Sequence, residues 1–307
     1  MNWRGLRVLV TGGAGFIGGN LVKRLVQYGA DVTVLDDLSS GNKKTIMDIP
    51  CKFILGNVLD IDELLDVNPT IIFHFAAPSS DVLFRKDPIG MMKNCIIGMI
   101  RVCEFCKRRN VRKLVYASSS SVYGNTSPPH REDSPTRPTN LYGLSKLICE
   151  EIAKSYTEVS NVGLRIFAGY GPGEERKGDI ASVVSLFLFD LLRGQRPILY
   201  GDGSQKRDFV YIDDIIEACI KVIEYDVEGV LNVGSGESTS FIDLLRIMYD
   251  ELGVHIQPVF KPKPPGYFDN TLADITLLSK YLQRQPFRLR AGIRRFIDYA
   301  RSMDCSA

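Results

Sequence analysis

The 307-residue chain has no run of about eighteen uninterrupted apolar residues, which excludes a helical membrane span. Its start, "MNWRGLRVLVTGG", passes straight into a strand and turn pattern with no cleavable leader, so the cytoplasm is the expected compartment. It also lacks a block of like charge: 38 basic and 36 acidic residues leave a net charge of +2. That balance excludes electrostatic capture by nucleic acid or by an anionic membrane, and leaves a small, phosphorylated ligand as the expected partner. Histidine is scarce, at three residues, and the seven cysteines (51, 95, 103, 106, 149, 219, 305) are scattered, odd in number and set in apolar contexts. No disulfide framework and no Cys/His metal site can be built from them, so no metal is expected. Cys103 and Cys106 fall on nearly one face at the end of a long helix, which fits burial. Cys305, third from the end, makes no C-a-a-X box. Repeats and low-complexity segments are absent as well.

What is present is a chain that is 45% apolar, enough for a large core. Short β-branched runs at 6–11, 31–36, 51–55, 70–75, 112–118 and 162–167 alternate with helical patterns at 16–28, 61–67, 88–108 and 141–159. Apolar runs of four to six residues separated by helices are parallel strands covered on both faces. The fold class is therefore α/β, a Rossmann-type doubly wound parallel sheet. After Ala168 the rhythm loosens into the loops "GYGPGEERKGD" and "PKPPGYFDN", with helices expected at 180–193, 213–224, 240–252 and 290–302 and short strands "PILY" and "VLNVG". Residues 1–168 are read as the nucleotide-binding domain. Residues 169–307 are read as a smaller α/β substrate-binding domain, with the chain re-entering the first domain around 205–235.

The segment "VLVTGGAGFIGGNLVKRL" carries Gly12, Gly13, Gly15 and Gly18 between a strand and a helix. Such spacing lets backbone N–H groups and the helix dipole approach a pyrophosphate. Asp36 ends the second strand about twenty residues on, where a carboxylate accepts from an adenosine ribose and repels a 2′-phosphate, so NAD is expected rather than NADP. Asp37 is the alternative ribose ligand. In "LYGLSK", Tyr142 and Lys146 share one helix face at i, i+4. A tyrosine of ordinary pKa about 10 is a poor base at neutral pH, but an adjacent ammonium stabilises its phenolate.

The glycine turn "TGGAGFIG", Asp36, "HFAA" (74–77), "SSSSVYG" (118–124), the pair Tyr142 and Lys146, "YGPG" (170–173) and "RDFVYIDD" (207–214) follow one another as in extended short-chain dehydrogenase/reductases. Over roughly residues 6 to 300 the chain resembles their nucleotide-sugar epimerase/dehydratase branch, and most simply the UDP-glucose 4-epimerases. The resemblance implies tightly held NAD, a sugar hydroxyl oxidised to a ketone, Tyr142 as acid/base, Lys146 on the nicotinamide ribose, and Ser119 on the reacting oxygen. It further implies cofactor contacts from Phe16, Ile17, Asn57, Val58, Phe75, Ala76, Ala77 and Asn94. Asp is usual where Asn57 stands. On the substrate side it implies Arg207 on the diphosphate, with an Asp208 ion pair as the alternative, and Tyr200 beside the base. The second phosphate arginine, expected near "PPGY", is absent, and Lys263 is the substitute.

In dehydratases and decarboxylases of this branch a Glu precedes the Val of "VYG". Here Ser121 and Ser120 are neutral at pH 7, which argues against both reactions although "HFAAPSSDVLFRKDP" is superficially similar to the decarboxylases. The loop "GPGEERKGDIASVV" resembles the ADP-heptose 6-epimerases and, more loosely, the GDP-mannose 3,5-epimerases, in which a lysine at the position of Lys177 is a second acid/base. A solvent- or phosphate-facing lysine is the competing reading. Ala168 stands where the branch has an Asn that contacts the sugar nucleotide. The expectation is a 4-epimerase acting through a transient 4-keto intermediate. Its rivals are epimerisation at carbons 3, 5 or 6, a 4-ketoreductase or dehydratase, and a catalytically silent dinucleotide-binding protein. The helices at 88–107 and 141–156 are apolar around their circumference, so a homodimer through four helices is expected.

Overall fold

The protein, in a computed structural model describing residues 1–263 and 269–304, has strands that start within one residue of each of the six β-branched runs between 6 and 167, and further short strands after them. They are β1 (Arg7–Thr11), β2 (Asp31–Asp36), β3 (Lys52–Leu55), β4 (Ile71–His74), β5 (Lys113–Ser119), β6 (Asn161–Ile166), β7 (Ala168–Tyr170), β8 (Ile198–Tyr200), β9 (Lys206–Tyr211), β10 (Gly229–Val233), β11 (Ser238–Ser240) and β12 (Val259–Lys261). The helices are α1 (Phe16–Gln27), α2 (Ile61–Leu64), α3 (Asp81–Lys86), α4 (Pro88–Arg108), α5 (Leu141–Ser155), α6 (Val183–Leu192), α7 (Ile212–Glu224), α8 (Phe241–Leu252), α9 (Thr276–Leu282) and α10 (Leu289–Asp304).

Seven strands form one parallel sheet in the order β10-β6-β5-β4-β1-β2-β3. The chain runs outward from β1 to β3, then restarts beside β1 at β4 and runs the other way. The crevice at the carboxyl ends of β1 and β4 is thus the topological switch point, where such sheets bind ligands. Alternate residues of each strand serve opposite layers. Val8, Val10, Val34 and Phe73 pack with Leu21, Leu25, Ile216 and Ile220 of α1 and α7. Leu9, Leu35, Ile72 and Leu114 pack with Met99, Val102 and Phe105 of α4 and Ala153 of α5. Burial on both faces explains why these strands read as unbroken apolar runs.

The fold class is the one expected, and the differences lie at element ends and in short elements. The helix expected over 61–67 stops at Leu64, because Leu65 is extended and Pro69 follows. Helix α5 ends at Ser155 rather than 159, where the Asn161 amide donates to the carbonyls of Ala153 and Val159. Strand β9 arises within "RDFVYIDD", between β7 and β11 in a three-stranded sheet, and β8 pairs with β12. Strand β10 returns to the large sheet beside β6. No helix among the described residues is long and apolar enough to cross a membrane.

Candidate active site

Strand β1 delivers the chain into the glycine turn. Gly12 has φ +71, and a Cβ there would lie 2.5 Å from the Phe75 carbonyl carbon, so the turn presses directly on the chain leaving β4. Helix α1 then starts at Phe16 with Gly15 extended, with no side chain capping it and no acidic residue in its first turn. Its leading N–H groups and dipole are left for an anion. This bare, glycine-walled helix start fits the pyrophosphate of a dinucleotide.

Asp36 ends β2 buried against the same turn, accepting from Ala14 N at 2.9 Å and Leu38 N at 2.8 Å. Burial raises its carboxyl above the ordinary value, partly countered by those two amides. Asp37 instead accepts from Ser39 N and Oγ at 2.9 and 2.6 Å and from Asn57 Nδ2 at 2.7 Å. Asn57 Oδ1 caps the turn at Leu59 N, 2.9 Å, and receives Asn94 Nδ2 at 3.5 Å. Its acceptor is therefore already shared between two donors. Val58 is buried beside α4, and Ala76 N donates to Thr11 Oγ1 at 3.4 Å.

The serine run ends β5. Ser119 caps a short 3-10 helix over Ser120–Tyr123, its Oγ accepting from Ser121 N at 3.1 Å. Helix α5 opens on Asn140, whose side chain accepts from Gly143 N at 2.8 Å. A Cβ on Gly143 would fall 2.5 Å from the Ser121 carbonyl oxygen, so only glycine lets the first turn of α5 lie on the serine run. Tyr142 and Lys146 are brought to Ser119 by that contact. The Lys146 Nζ lies 5.8 Å from the Tyr142 ring centroid, and Lys146 itself is buried. Burial pulls its pKa down, but Cys95, Tyr142 and Cys149 outweigh that and hold the ammonium above the ordinary lysine value. A lysine that keeps its proton is the group that stabilises a phenolate at neutral pH.

One cavity of about 320 Å³ gathers Gly12, Gly15, Phe16, Ile17, Gly18, Phe75, Ala77, Ser119, Tyr142, Lys146, Lys177 and Arg207. Ala168 lines it too, as do Ser120 and Ser121. Lys177 Nζ stands 4.8 Å over the Phe16 ring and 3.5 Å from the buried Glu174 carboxylate. Arg207 projects from β9 with its guanidinium 5.3 Å over Phe241, while Asp208 turns to the other face. The Asp208 carboxylate accepts from Ser235 N and Oγ, Gly236 N and Ala273 N at 2.6 to 3.1 Å. Asp36, Asp37, Asn57, Val58, Ala76 and Asn94 lie outside the cavity wall, at the ends of β2, β3 and β4 and on α4. Tyr200 lies outside it as well, at the end of β8. Lys263 is ion-paired with Asp269, and "PPGY" falls outside the described residues.

Sequence reasoning passed over several residues of the site. His74, inside "HFAA", is buried, and its Nδ1 is 2.8 Å from Thr11 Oγ1. Burial, reinforced by Lys146, holds it neutral with a pKa of about 3. Glu174, Ser182 and Thr271 line the cavity, whereas His74 lies outside its wall. Glu174 accepts from Ser182 N and Oγ and from Ser185 Oγ, a set only the folded loop assembles.

Residues 8–234 match the family model described as the NAD dependent epimerase/dehydratase family. The chain is 33% identical over 312 residues to a UDP-glucose 4-epimerase of Mycolicibacterium smegmatis, covering 97% of this chain and 99% of that protein. It is 32% identical over 313 residues to an ADP-L-glycero-D-manno-heptose-6-epimerase of Alkalilimnicola ehrlichii, covering 95% and 96%. Its fold superposes with a TM-score of 0.91, at 31% identity and 98% and 99% coverage, on a UDP-N-acetylglucosamine 4-epimerase from Methanobrevibacter ruminantium M1 solved with UDP-N-acetylmuramic acid. With a family match over most of its length and full-length relatives above 30% identity, the chain belongs to the NAD dependent epimerase/dehydratase family.

Proposed function

We propose that the protein is an NAD-dependent nucleotide-sugar epimerase that inverts C4 of a UDP-hexose through a transient 4-keto sugar. The observation that carries this reading is the single cavity shared by Tyr142, Lys146 and Ser119, walled beside them by the neutral Ser120 and Ser121. When bound, NAD supplies the reversible two-electron oxidation of a carbinol to a ketone. The glycine turn and the start of α1 hold the pyrophosphate, and Asp36 holds the adenosine ribose. Asp37, Asn57, Val58 and Asn94 face the adenine end, and Phe75, Ala76 and Ala77 run beneath the cofactor.

Tyr142 as phenolate accepts the proton of the sugar hydroxyl, and the Lys146 ammonium stabilises that phenolate. Ser119 Oγ donates to the same oxygen. After the ketone turns its other face to the site, Tyr142 returns the proton. Arg207 takes the diphosphate as a charge-assisted fork. Tyr200 meets the base only if the ligand extends past the cavity toward β8. Elimination or decarboxylation would need a further free acid. Glu174, a carboxylate on the cavity wall, is already engaged by Ser182, Ser185 and Lys177.

A second reading is epimerisation at carbon 3, 5 or 6 with Lys177 as a second acid/base. It is favoured by the placement of Lys177 Nζ inside the cavity over Phe16. The two are separated by a panel of nucleotide sugars followed by NMR in deuterated water. Release of NAD(H) on denaturation, with UDP-glucose and UDP-galactose interconverting without added cofactor or deuterium wash-in, supports 4-epimerisation. Wash-in at C3 or C5, the carbons beside a 4-ketone, or a product inverted at C6, either of which disappears in Lys177→Ala, selects the second reading, and stoichiometric consumption of added NADH sinks both.

The same proposal takes residues 1–168 as the nucleotide-binding domain and most of 169–307 as the substrate domain. It also takes the protein to act as a homodimer in the cytoplasm. The exposed Ile89, Ile97, Leu141 and Leu144 on α4 and α5 support the dimer.

A further inference from the structure

The catalytic hydroxyls stand on two different elements, Ser119 on the end of β5 and Tyr142 on α5, so something must fix one element against the other. A buried polar chain joins them, running back from Ser118, which itself lines the cavity wall. Ser118 Oγ donates to Glu150 Oε1, and Glu150 lies on α5 at i+4 from Lys146 and i+8 from Tyr142, on the same face. Arg165 of β6, the register partner of Ser118, grips the same carboxylate in a fork, Nε to Oε1 at 2.9 Å and Nη2 to Oε2 at 2.7 Å. Its Nη1 donates onward to Tyr123 OH and to the Glu132 carbonyl, each at 2.9 Å, and Tyr123 OH donates to Asn232 Oδ1 at 2.7 Å. The Arg165 and Glu150 side chains are each 6% exposed.

A buried ion pair adds little net stability compared with apolar packing, but its fork geometry holds groups in one orientation. Here every polar atom of the Glu150 carboxylate is used, and the one bond that reaches the catalytic strand is that from Ser118. Ser118 precedes Ser119 directly, so a swing of the 118–119 backbone moves the Ser119 hydroxyl. Ser118 is thus more than the closing residue of its strand.

We propose that Ser118 and Glu150 are positioning residues, whose hydrogen bond ties the end of β5 to the catalytic face of α5 and so sets Ser119 Oγ against the Tyr142 hydroxyl. This rests on the reading of Ser119 and Tyr142 as the groups on the reacting oxygen. The test is a double-mutant cycle with Ser118→Ala, Ser119→Ala and the double variant, assayed on UDP-glucose for kcat and KM, with bound NAD and Tm measured alongside. Ser119→Ala is expected to lower kcat about a hundredfold, and Ser118→Ala about tenfold, with KM and NAD content unchanged. The double variant is expected to be no slower than Ser119→Ala within about twofold, because Ser118 acts only through Ser119. Ser118→Thr, which keeps the hydroxyl, restores the rate. If Ser118→Ala lowers Tm alone, or if its effect multiplies in full with that of Ser119→Ala, the inference is overturned and the function stands. If Ser119→Ala is as fast as the wild type, the reading of Ser119 falls and this inference falls with it.

Discussion

The floor of the cavity and its roof are built differently. The floor is the end of β5 with the first turns of α5, where Ser119, Tyr142 and Lys146 sit on regular elements. They are backed by the buried Ser118–Glu150–Arg165 chain. The roof is the loop from Gly171 to Ser182, tied down by a few polar contacts. Asn20 Nδ2 donates to the Pro172 carbonyl at 3.0 Å, Arg176 donates to Thr45 Oγ1, and Glu175 accepts from Tyr299 OH at 3.1 Å. On the proposed function the floor carries the acid/base groups, and rigidity there keeps reacting atoms in line. The roof carries Lys177 and Glu174, and Ala168 stands just before it. On that function the chemistry rests on regular elements and the choice of substrate on a loop.

The sharpest break of that contrast is Tyr142→Phe. It should lower kcat by about a thousandfold while bound NAD, released on denaturation and read by absorbance, stays at the wild-type amount. Residual turnover near the wild-type level would move the chemistry away from the floor. Gly12→Ala tests the floor's cofactor side: a Cβ meets the Phe75 backbone, so a loss of about 3 kcal/mol in stability is expected, with NAD-depleted protein on purification. Unchanged Tm and NAD content would show that the turn relaxes.

A third test concerns His74, buried at the end of β4. Its folded pKa of about 3 lies below the ordinary 6.5, so the unfolded chain takes up the proton first. Its contribution to stability is complete above about pH 6.5 and is lost as the pH falls toward 3, amounting to about 2 kcal/mol at pH 5. His74→Asn should flatten that acid limb in urea unfolding at pH 7 and pH 5, and an unchanged slope would reject the account. The smallest effect is expected at the roof. If the 4-epimerase reading holds, Lys177→Ala should raise KM for UDP-glucose about tenfold with kcat nearly constant. A kcat collapse there would instead join the roof to the chemistry.

How much of this was legible varies by residue. The alternation of apolar runs and amphipathic helices carried the central sheet, because a strand buried on both faces is mostly apolar on both. The glycine turn, Asp36 and the Tyr142–Lys146 spacing could be read as candidates because each is a local pattern along the chain. Strands β7, β11 and β12, of three residues each, left no periodicity to read. Strand β9 was hidden inside a motif, and α3 and α9 are too short to show a face. Glu150 carried no signal in the sequence, and Ser118 read only as a strand end. Each acquired its role from Arg165, on another strand.

The sequence by itself determined the α/β class and the NAD dependent epimerase/dehydratase family, since these show in local patterns: apolar runs set between helices, and a glycine turn between a strand and a helix. Only the tertiary structure decided which side of the cavity Lys177 occupies, what holds Glu174, and what fixes Ser119 against Tyr142. The reason is that a hydrogen bond between elements is set by packing at 2.5 to 3.5 Å, and residues that share it carry no common pattern along the chain.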